Sequence, residues 1–419
     1  MRRIVQLVHG FPPERLGGTE RYAAAVAAGL RARGVEVYTI AATLSPGEPM
    51  YRVRREGAVF RVVHNAPYAG VRRAERDPAL SRVLAELLGE LAPDLVHIQH
   101  LQFLGVDLPY SGPLVWTLHD AWAWCAAGGT LLRQDQPETP VCPGPGTACA
   151  VCTSAWVADN PALAWALRGA GPLGAAVGGE RLHQLWKRVP ARLRTGLLRG
   201  APPPVNPAMI RRRDSAIRQF ASRCHLISPS RWLADAAVAA GLPRPTLLPH
   251  GVAPGGPRIG GGPLMFLGTL APHKGPDLVW AAWRRAGVGV PLHIHGPVGR
   301  DPAWAARFPH SGPLAHADVG PALARAHALV LGSRWPENAP LVILEARAAG
   351  CPVVAPAIGG IPELVEHGVD GFLYRAGDEG ACADAIKRIV EDPPVPRPPL
   401  SLDAHLDRLQ SLYSGALRS

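Results

Sequence analysis

Two carboxylates frame the most informative stretch of the chain, Glu337 and Glu345 in WPENAPLVILEARAAGCPVVAP, Trp335 to Pro356. The apolar run between them and beyond has the composition of a buried helix. Pro340 suits the first helical position, where a missing N–H costs no intrahelical bond, and Gly350 suits the helix end. That places Glu337 in the loop ahead of the helix and Glu345 on its second turn. Between the acids, the N–H groups of a helix start lack intrahelical partners and bind anions, a phosphate most simply. Asn338, Ala339 and Leu341 can each offer one; Pro340 cannot. Carboxylates accept well from paired hydroxyls, so the pattern fits a ligand with phosphate in the middle and hydroxyls at both ends. A nucleotide sugar has that order. A solvated helix face would instead set its acids on a polar stripe, whereas these two flank an apolar one.

Other reactive types sit where strands run into helices. Gly17 and Gly18 follow an apolar strand and precede a helix, where bare backbone N–H groups can approach a phosphate. Gly359 and Gly360 form a similar small-residue turn ahead of Pro362, fit to admit a sugar or phosphate closely. His119, in TLHD, ends an apolar run; from the residue alone it is structural or functional. Asp120 beside it suits a local hydrogen bond. Cys125, Cys142, Cys149 and Cys152 are spaced C-x16-C-x6-C-x2-C. That number of ligands and the final C-x-x-C fit a structural zinc, though the first gap and the Pro/Gly content do not favour it, and reduced, unliganded thiols are what a cytosolic chain would ordinarily hold. Cys224, Cys351 and Cys382 lie in apolar contexts and are expected in the core.

The elements that must position these residues alternate. RIVQLVH, VEVYTIAA, AVFRVVH, DLVHIQH, LVWTLHD, CHLISPS and TLLPHG read as strands, and TERYAAAVAAGLRARG reads as a helix opened by Thr19 and closed by Gly34. After the Gly/Pro-rich APGGPRIGGGP the scheme restarts: LMFLGTL, a helix in GPDLVWAAWRRAG, PLHIHG, and GPALARAHALVLGS as helix then strand ending near Ser333. The fold class is α/β, two tandem doubly wound, Rossmann-like parallel-sheet domains. The first is expected over 1–252, with an insert over about 121–222 and a C-terminal helix over about 402–419 packing back on it; the second spans 253–401. A cleft between the two is the natural ligand site. In the insert, RLHQLWKRVPARLRTGLLRG carries Leu182, Leu185, Trp186, Val189, Leu193 and Leu197 at helical spacing, with Arg and Lys filling much of the rest. It packs on the first domain or offers a face to anionic lipid.

Composition bounds the classes. A chain of 419 residues, 47% hydrophobic and 18% charged, is globular rather than disordered. No apolar run reaches the roughly 18 residues that cross a bilayer, and the N-terminus does not read as a signal peptide, so a cytoplasmic location is expected, with peripheral contact at the inner membrane face open. The formal net charge of +11 favours anionic partners without choosing among them. Nucleic acid is disfavoured, since the basic region from Arg181 to Arg223 has no zinc finger, RNA-binding signature or aromatic platform.

Glu-x7-Glu in PENAPLVILEARAAGCPVVA, followed by GGIPELVEHGVDGFLY, resembles the signature of the retaining glycosyltransferases of family 4, which have the GT-B fold of two Rossmann-like domains facing each other across a cleft. GGTERYAAAVAAGLRARGVEV, DLVHIQH, TLHDAW, ISPSRWLAD, LPHGV and LGTLAPHKGPDLVWAAW resemble its other landmarks in the usual order, and the likeness is weakest from about 126 to 222. The resemblance implies that Glu345 holds the ribose hydroxyls and Glu337 those of the donor sugar. It also implies that Lys274 binds the diphosphate, with Gly17 and Gly18 lining the phosphate site, and that His119 lies near the transferred sugar. Ser230 and Arg231 would line the cleft. The family generally has an arginine where this chain has Thr269, and His273 or Arg334 is the available substitute.

The implied reaction moves a sugar from a nucleoside-diphosphate sugar to a hydroxyl acceptor (a glycan, lipid-linked saccharide or small natural product) with retained configuration. It requires no cofactor and no catalytic metal. The leaving diphosphate itself can take the acceptor's proton, so positioning and charge stabilisation carry the rate. A paired-carboxylate hydrolase is disfavoured because Glu345 belongs at the nucleotide end. An epimerase or phosphorylase of the same fold, and a basic membrane- or nucleic-acid-binding protein, are the alternatives.

Overall fold

A computed structural model describes residues 2–45, 47–65, 77–133, 142, 144–158, 205–299 and 301–418. The basic stretch from Leu182 to Leu197 lies outside them. Two compact units form. One comprises the described residues of 1–228, 234–246 and 409–419, the other 229–233 and 247–408.

The first unit opens with β1 (Arg3–Val8), α1 (Gly18–Ala32) and β2 (Glu36–Thr43), then a short hairpin of β3 (Val53–Glu56) and β4 (Val59–Val63). After these come α2 (Pro78–Leu91), β5 (Leu95–Ile98), β6 (Leu114–Thr117), α3 (Cys149–Ala158), α4 (Pro207–Ala221), β7 (Cys224–Ser228), α5 (Arg231–Ala239) and β8 (Thr246–Leu247). The sheet order is β3-β4-β2-β1-β5-β6-β7-β8. The strands from β4 to β7 run parallel, and β3 alone is shown antiparallel, to β4. β1 beyond Arg3, β5 and β6 are buried on both faces, the usual state of a parallel sheet. α2 shows how local sequence sets a boundary. Asp77 accepts from the Leu80 N–H, Pro78 takes the first turn, and Leu80, Leu84, Leu87, Leu88 and Leu91 form the buried stripe. Each such leucine contributes roughly 1.5–3 kcal/mol by leaving water.

The second unit begins with β9 (Leu264–Leu267), α6 (Pro276–Ala286), β10 (Leu292–His295), α7 (Pro302–Ala305), α8 (His316–Arg325) and β11 (Ala328–Val330). It continues through α9 (Leu341–Ala348), β12 (Val353–Pro356), α10 (Ile361–Leu364), β13 (Gly371–Tyr374) and α11 (Glu379–Glu391) to the start of α12 (Leu402–Ala416). Its sheet order β10-β9-β11-β12-β13 is parallel throughout. Alternate residues feed two cores. Leu264, Phe266, Val330 and Val354 join one, and Met265, Leu329, Val353 and Ala355 the other, as a period of two with both faces buried demands.

Several boundaries differ from the sequence reading. Residues 229–233 group with the second unit, and the division after β7 falls at 246–247 rather than 252–253. Glu363 is the physical reason for the first, since its carboxylate accepts from the Arg231 and Trp232 N–H groups at 2.8 and 2.7 Å. The end of α12 belongs to the first unit, where Arg33 donates to Gln410 at 2.9 Å. α1 starts at Gly18 on an N-cap Gly17 that makes no side-chain cap, so Thr19 does not open it. Pro340 is the N-cap of α9 rather than its first residue, and β11 stops at Val330, short of Ser333.

Candidate functional site

In the second unit the loop after β11 meets the loop after β9. Lys274 follows β9 on a short turn of 3-10 helix, and its Nζ donates to Glu337 Oε1 at 2.7 Å. Ser333 Oγ donates to the same oxygen at 3.0 Å, and the Trp335 ring lies under the ammonium, 4.6 Å from Nζ to centroid. Glu337 is 8% exposed. Burial pushes its carboxyl up, but the Lys274 charge and the hydrogen bonds from Lys274 and Ser333 outweigh that and hold it below its ordinary value. A charged, oriented pair thus stands at the carboxyl ends of β9 and β11, beside the N-terminus of α9.

The loops meet this closely because two glycines face each other. A Cβ on Gly275, whose φ is +65°, would lie 1.9 Å from the Gly332 carbonyl oxygen, and one on Gly332 would lie 2.1 Å from that of Gly275. No side chain fits either place.

Gly359 and Gly360 lie against the Glu337–Asn338 turn. The Gly360 N–H donates to the Glu337 carbonyl at 2.8 Å, and a Cβ on Gly359 or Gly360 would come within 2.1 Å of the Glu337 or Asn338 carbonyl oxygen. The close approach they permit here is therefore backbone on backbone, a role within the protein that the sequence reading had given to a sugar or phosphate. The buried Asn338 side chain accepts from Ser230 Oγ at 2.6 Å, so that turn is braced from 229–233 as well. Ala339 and Leu341 follow at the start of α9, and Glu345 is half-buried on its second turn.

Thr269 sits just past β9, half-exposed, its carbonyl accepting from the Ala271 N–H at 2.9 Å. Neither suggested substitute for an arginine there is an uncommitted cation. Both Nη atoms of Arg334 bind the Asp277 carboxylate, at 2.7 and 3.0 Å, and Nη1 also donates to the Pro272 carbonyl at 2.8 Å. The His273 ring packs edge-on against Trp335, 5.2 Å between centroids.

The first unit gathers imidazoles and acids at the carboxyl ends of β1, β5 and β6. His9 Nε2 is 3.2 Å from Glu20 Oε1, the rings of His9 and His100 are 4.2 Å apart, and His100 Nε2 is 3.3 Å from Asp120 Oδ2. Asp120 also caps the next turn, accepting from the Trp122 N–H at 2.8 Å. Glu20 stands in the first turn of α1, and its Oε2 lies 2.5 Å from where a Cβ on Gly17 would be, so glycine there makes room for that carboxylate; Gly18 has open space. His119 Nε2 lies 2.9 Å from Gln99 Oε1, and the ring meets Tyr22 edge-on at 5.0 Å. Burial, then neighbouring imidazoles, hold His9 and His119 well below the usual histidine range. Both rings are neutral at pH 7 and serve as hydrogen-bond partners rather than cations.

Sequence reasoning singled out Glu337, Lys274 and His119 and did not name His9, Gln99, His100, Glu20, Ser333 or Trp335 beside them. His9 and His100 carry the same strand-end signal that singled out His119; Glu20, Ser333 and Trp335 carry none without their partners.

The four clustered cysteines, Cys125, Cys142, Cys149 and Cys152, line one cavity of about 300 Å3 with Trp124 and Leu131. All are free thiols. Burial raises Cys125 to about 11. Among the described residues no three His, Cys, Asp or Glu side chains are grouped to hold a metal ion. No helix among those residues is long and apolar enough to cross a membrane.

Comparison with known proteins supplies the wider context. A model described as "Glycosyl transferases group 1" matches residues 262–392, and one described as "Glycosyltransferase Family 4" matches residues 16–160. A D-inositol 3-phosphate glycosyltransferase of Mycobacterium tuberculosis is 35% identical over 139 residues, 30% of this chain and 28% of that protein. The chain thus matches under a third of that relative's length. A sucrose-phosphate synthase from Thermosynechococcus elongatus shares the fold over 99% of both chains, with a TM-score of 0.64 and 16% identity. Anabaena HepE, solved with UDP and glucose, does so over 99% of this chain and 100% of its own, with a TM-score of 0.58 and 15% identity.

Proposed function

The chain belongs to the group 1 glycosyl transferases of family 4, and we propose on that basis that it transfers a sugar from a nucleoside-diphosphate sugar to a hydroxyl acceptor with retention of configuration. The observation that carries this reading is the Lys274–Glu337 pair at 2.7 Å beside the N-terminus of α9. In the proposed complex Lys274 and the amides of Asn338, Ala339 and Leu341 hold the diphosphate. The cation and dipoles stabilise the charge that grows on the leaving phosphate. Glu337 serves twice, keeping the ammonium in place and accepting from donor-sugar hydroxyls, and Glu345 takes the ribose. The family resemblance assigns Gly17 and Gly18 to the phosphates and His119 to the transferred sugar. No metal and no cofactor enter this scheme. The protein acts in the cytoplasm, with a glycan, a lipid-linked saccharide or a small natural product as acceptor.

Incubation with UDP-, GDP-, ADP- and dTDP-sugars tests the reading, following nucleoside diphosphate release and the anomeric proton signals of any product. UDP-glucose is the natural first donor, since HepE has been solved with UDP-glucose. One donor should be turned over with its anomeric configuration kept, and Glu345→Ala should raise KM for it. Inverted product contradicts retention, and an unchanged KM contradicts the ribose assignment.

A further inference from the structure

Behind His119 runs a line of fully buried polar groups: His97 and Gln99 at the end of β5, Thr117 on β6 and Tyr413 on α12 are each 0% exposed. Tyr413 Oη lies 2.7 Å from His97 Nδ1, and His97 Nε2 lies 2.8 Å from Thr117 Oγ1. Gln99 bridges the two rings, with Nε2 at 3.2 Å from His97 Nδ1 and Oε1 at 2.9 Å from His119 Nε2. An amide nitrogen only donates and an amide oxygen only accepts. The ring nitrogens that face Gln99 must therefore be in opposite states, one holding a lone pair and the other a hydrogen. A phenol buried this deeply keeps its proton, because burial raises Tyr413 well above the usual tyrosine range. Its short contact to Nδ1 suits an O–H donor. That choice makes His97 Nδ1 the acceptor, points the Gln99 nitrogen at it, and leaves the Gln99 oxygen to receive an N–H from His119.

We propose that Tyr413, His97 and Gln99 are positioning residues that lock His119 as the Nε2–H tautomer, so that Nδ1 is its acceptor nitrogen for a sugar hydroxyl. The assignment of the hydroxyl rests on the transferase reading; the lock itself does not. The opposite tautomer would present a donor at Nδ1 and reverse the direction of that hydrogen bond. His119 also feels the charges of His100 and His97, influences His9, and meets the edge of Tyr22.

Ring nitrogen NMR of protein carrying 15N-histidine, recorded on the free enzyme, reads the tautomer directly. Wild type should show both His119 and His97 as Nε2–H. Gln99→Leu should uncouple the rings and give His119 mixed tautomers. Gln99→Glu, which keeps an acceptor, should retain Nε2–H on His119, turn His97 to Nδ1–H and move the His119 titration upward. Tyr413→Phe should let the amide reverse, so that a second set of ring signals appears. An Nδ1–H His119 in wild type, or unchanged signals in folded Gln99→Leu, overturns the proposal; an unchanged spectrum in Tyr413→Phe alone overturns the part given to the phenol. Circular dichroism and thermal melting report folding, and Gln99→Glu serves if Gln99→Leu does not fold. With an active donor, Gln99→Leu should lower kcat at least about tenfold at unchanged donor Kd. Because the spectra need no substrate, failure of the transferase reading and failure of the lock are separate results.

Discussion

Glu337 acts through its partner as much as by itself. A carboxylate 8% exposed and without a cation would be costly, and Lys274 supplies the cation from a loop 63 positions away. The ion pair makes a sign-definite prediction. Glu337 sits below its ordinary value of 4.5, so the unfolded chain takes a proton before the folded one does. The stabilisation is complete above that ordinary value and disappears as pH falls through the folded one. Glu337→Gln should therefore cost roughly 1–3 kcal/mol at neutral pH, and the deficit should narrow as melts are repeated at increasingly acid pH. A deficit independent of pH would mean that the carboxylate's charge contributes nothing. The same pairing explains what single residues could not disclose. Glu337 and Lys274 stand out in the sequence as types, but nothing in their spacing says they touch. Arg334 shows the converse, a cation that looks available until Asp277 is found holding it through two hydrogen bonds.

Among elements, the parallel strands were the most readable. β9 and β12 are apolar throughout, and β1, β5 and β6 are mostly so, each broken by a buried polar residue (Gln6, His97, Thr117), because both faces are covered. β3, with the sequence VRRE, escaped notice: it is an edge strand paired on one side, and no apolar alternation is required of it. The side-chain caps Asp77 of α2 and Asn206 of α4 went unmarked in the sequence, and the two starts that were marked, at Thr19 and Pro340, are displaced because backbone alone serves at Gly17 and Pro340. Gly359 and Gly360 were read as room for a ligand, and a Cβ on either would meet the Glu337 or Asn338 backbone; Gly275 and Gly332, which the sequence did not single out, show the same close approach. Gly275→Ala should accordingly destabilise the protein by roughly 3 kcal/mol or more, through both a strained φ and a collision with the Gly332 carbonyl. Gly289→Ala, where a methyl meets nothing within 4 Å, is the control and should shift the melt little. Equal shifts for the two would refute the close-approach account.

For the whole molecule, charge and buried imidazoles set the response to pH. His9, His119 and His405 are all held below the usual histidine value of 6.5, burial being the largest cause in each. Below that value the unfolded chain binds protons that the native state refuses, so stability should be full above about 6.5 and fall steadily as pH drops toward 5. Replacing His119 by Gln should flatten part of that slope; an identical slope would remove His119 from the explanation. With two units and separate cores, the melt need not be one transition, and ligand added to the second unit should move the transition of that unit.

Calorimetric titration of the four nucleoside-diphosphate sugars into wild type and Lys274→Ala puts the central claim, donor binding at the Lys274–Glu337 pair, to its most direct test. One donor should bind wild type with a stoichiometry of one, and Lys274→Ala should weaken it roughly 10- to 100-fold, the worth of one charge-assisted contact. Equal affinity for both proteins, or no binding of any of the four, would contradict the assignment.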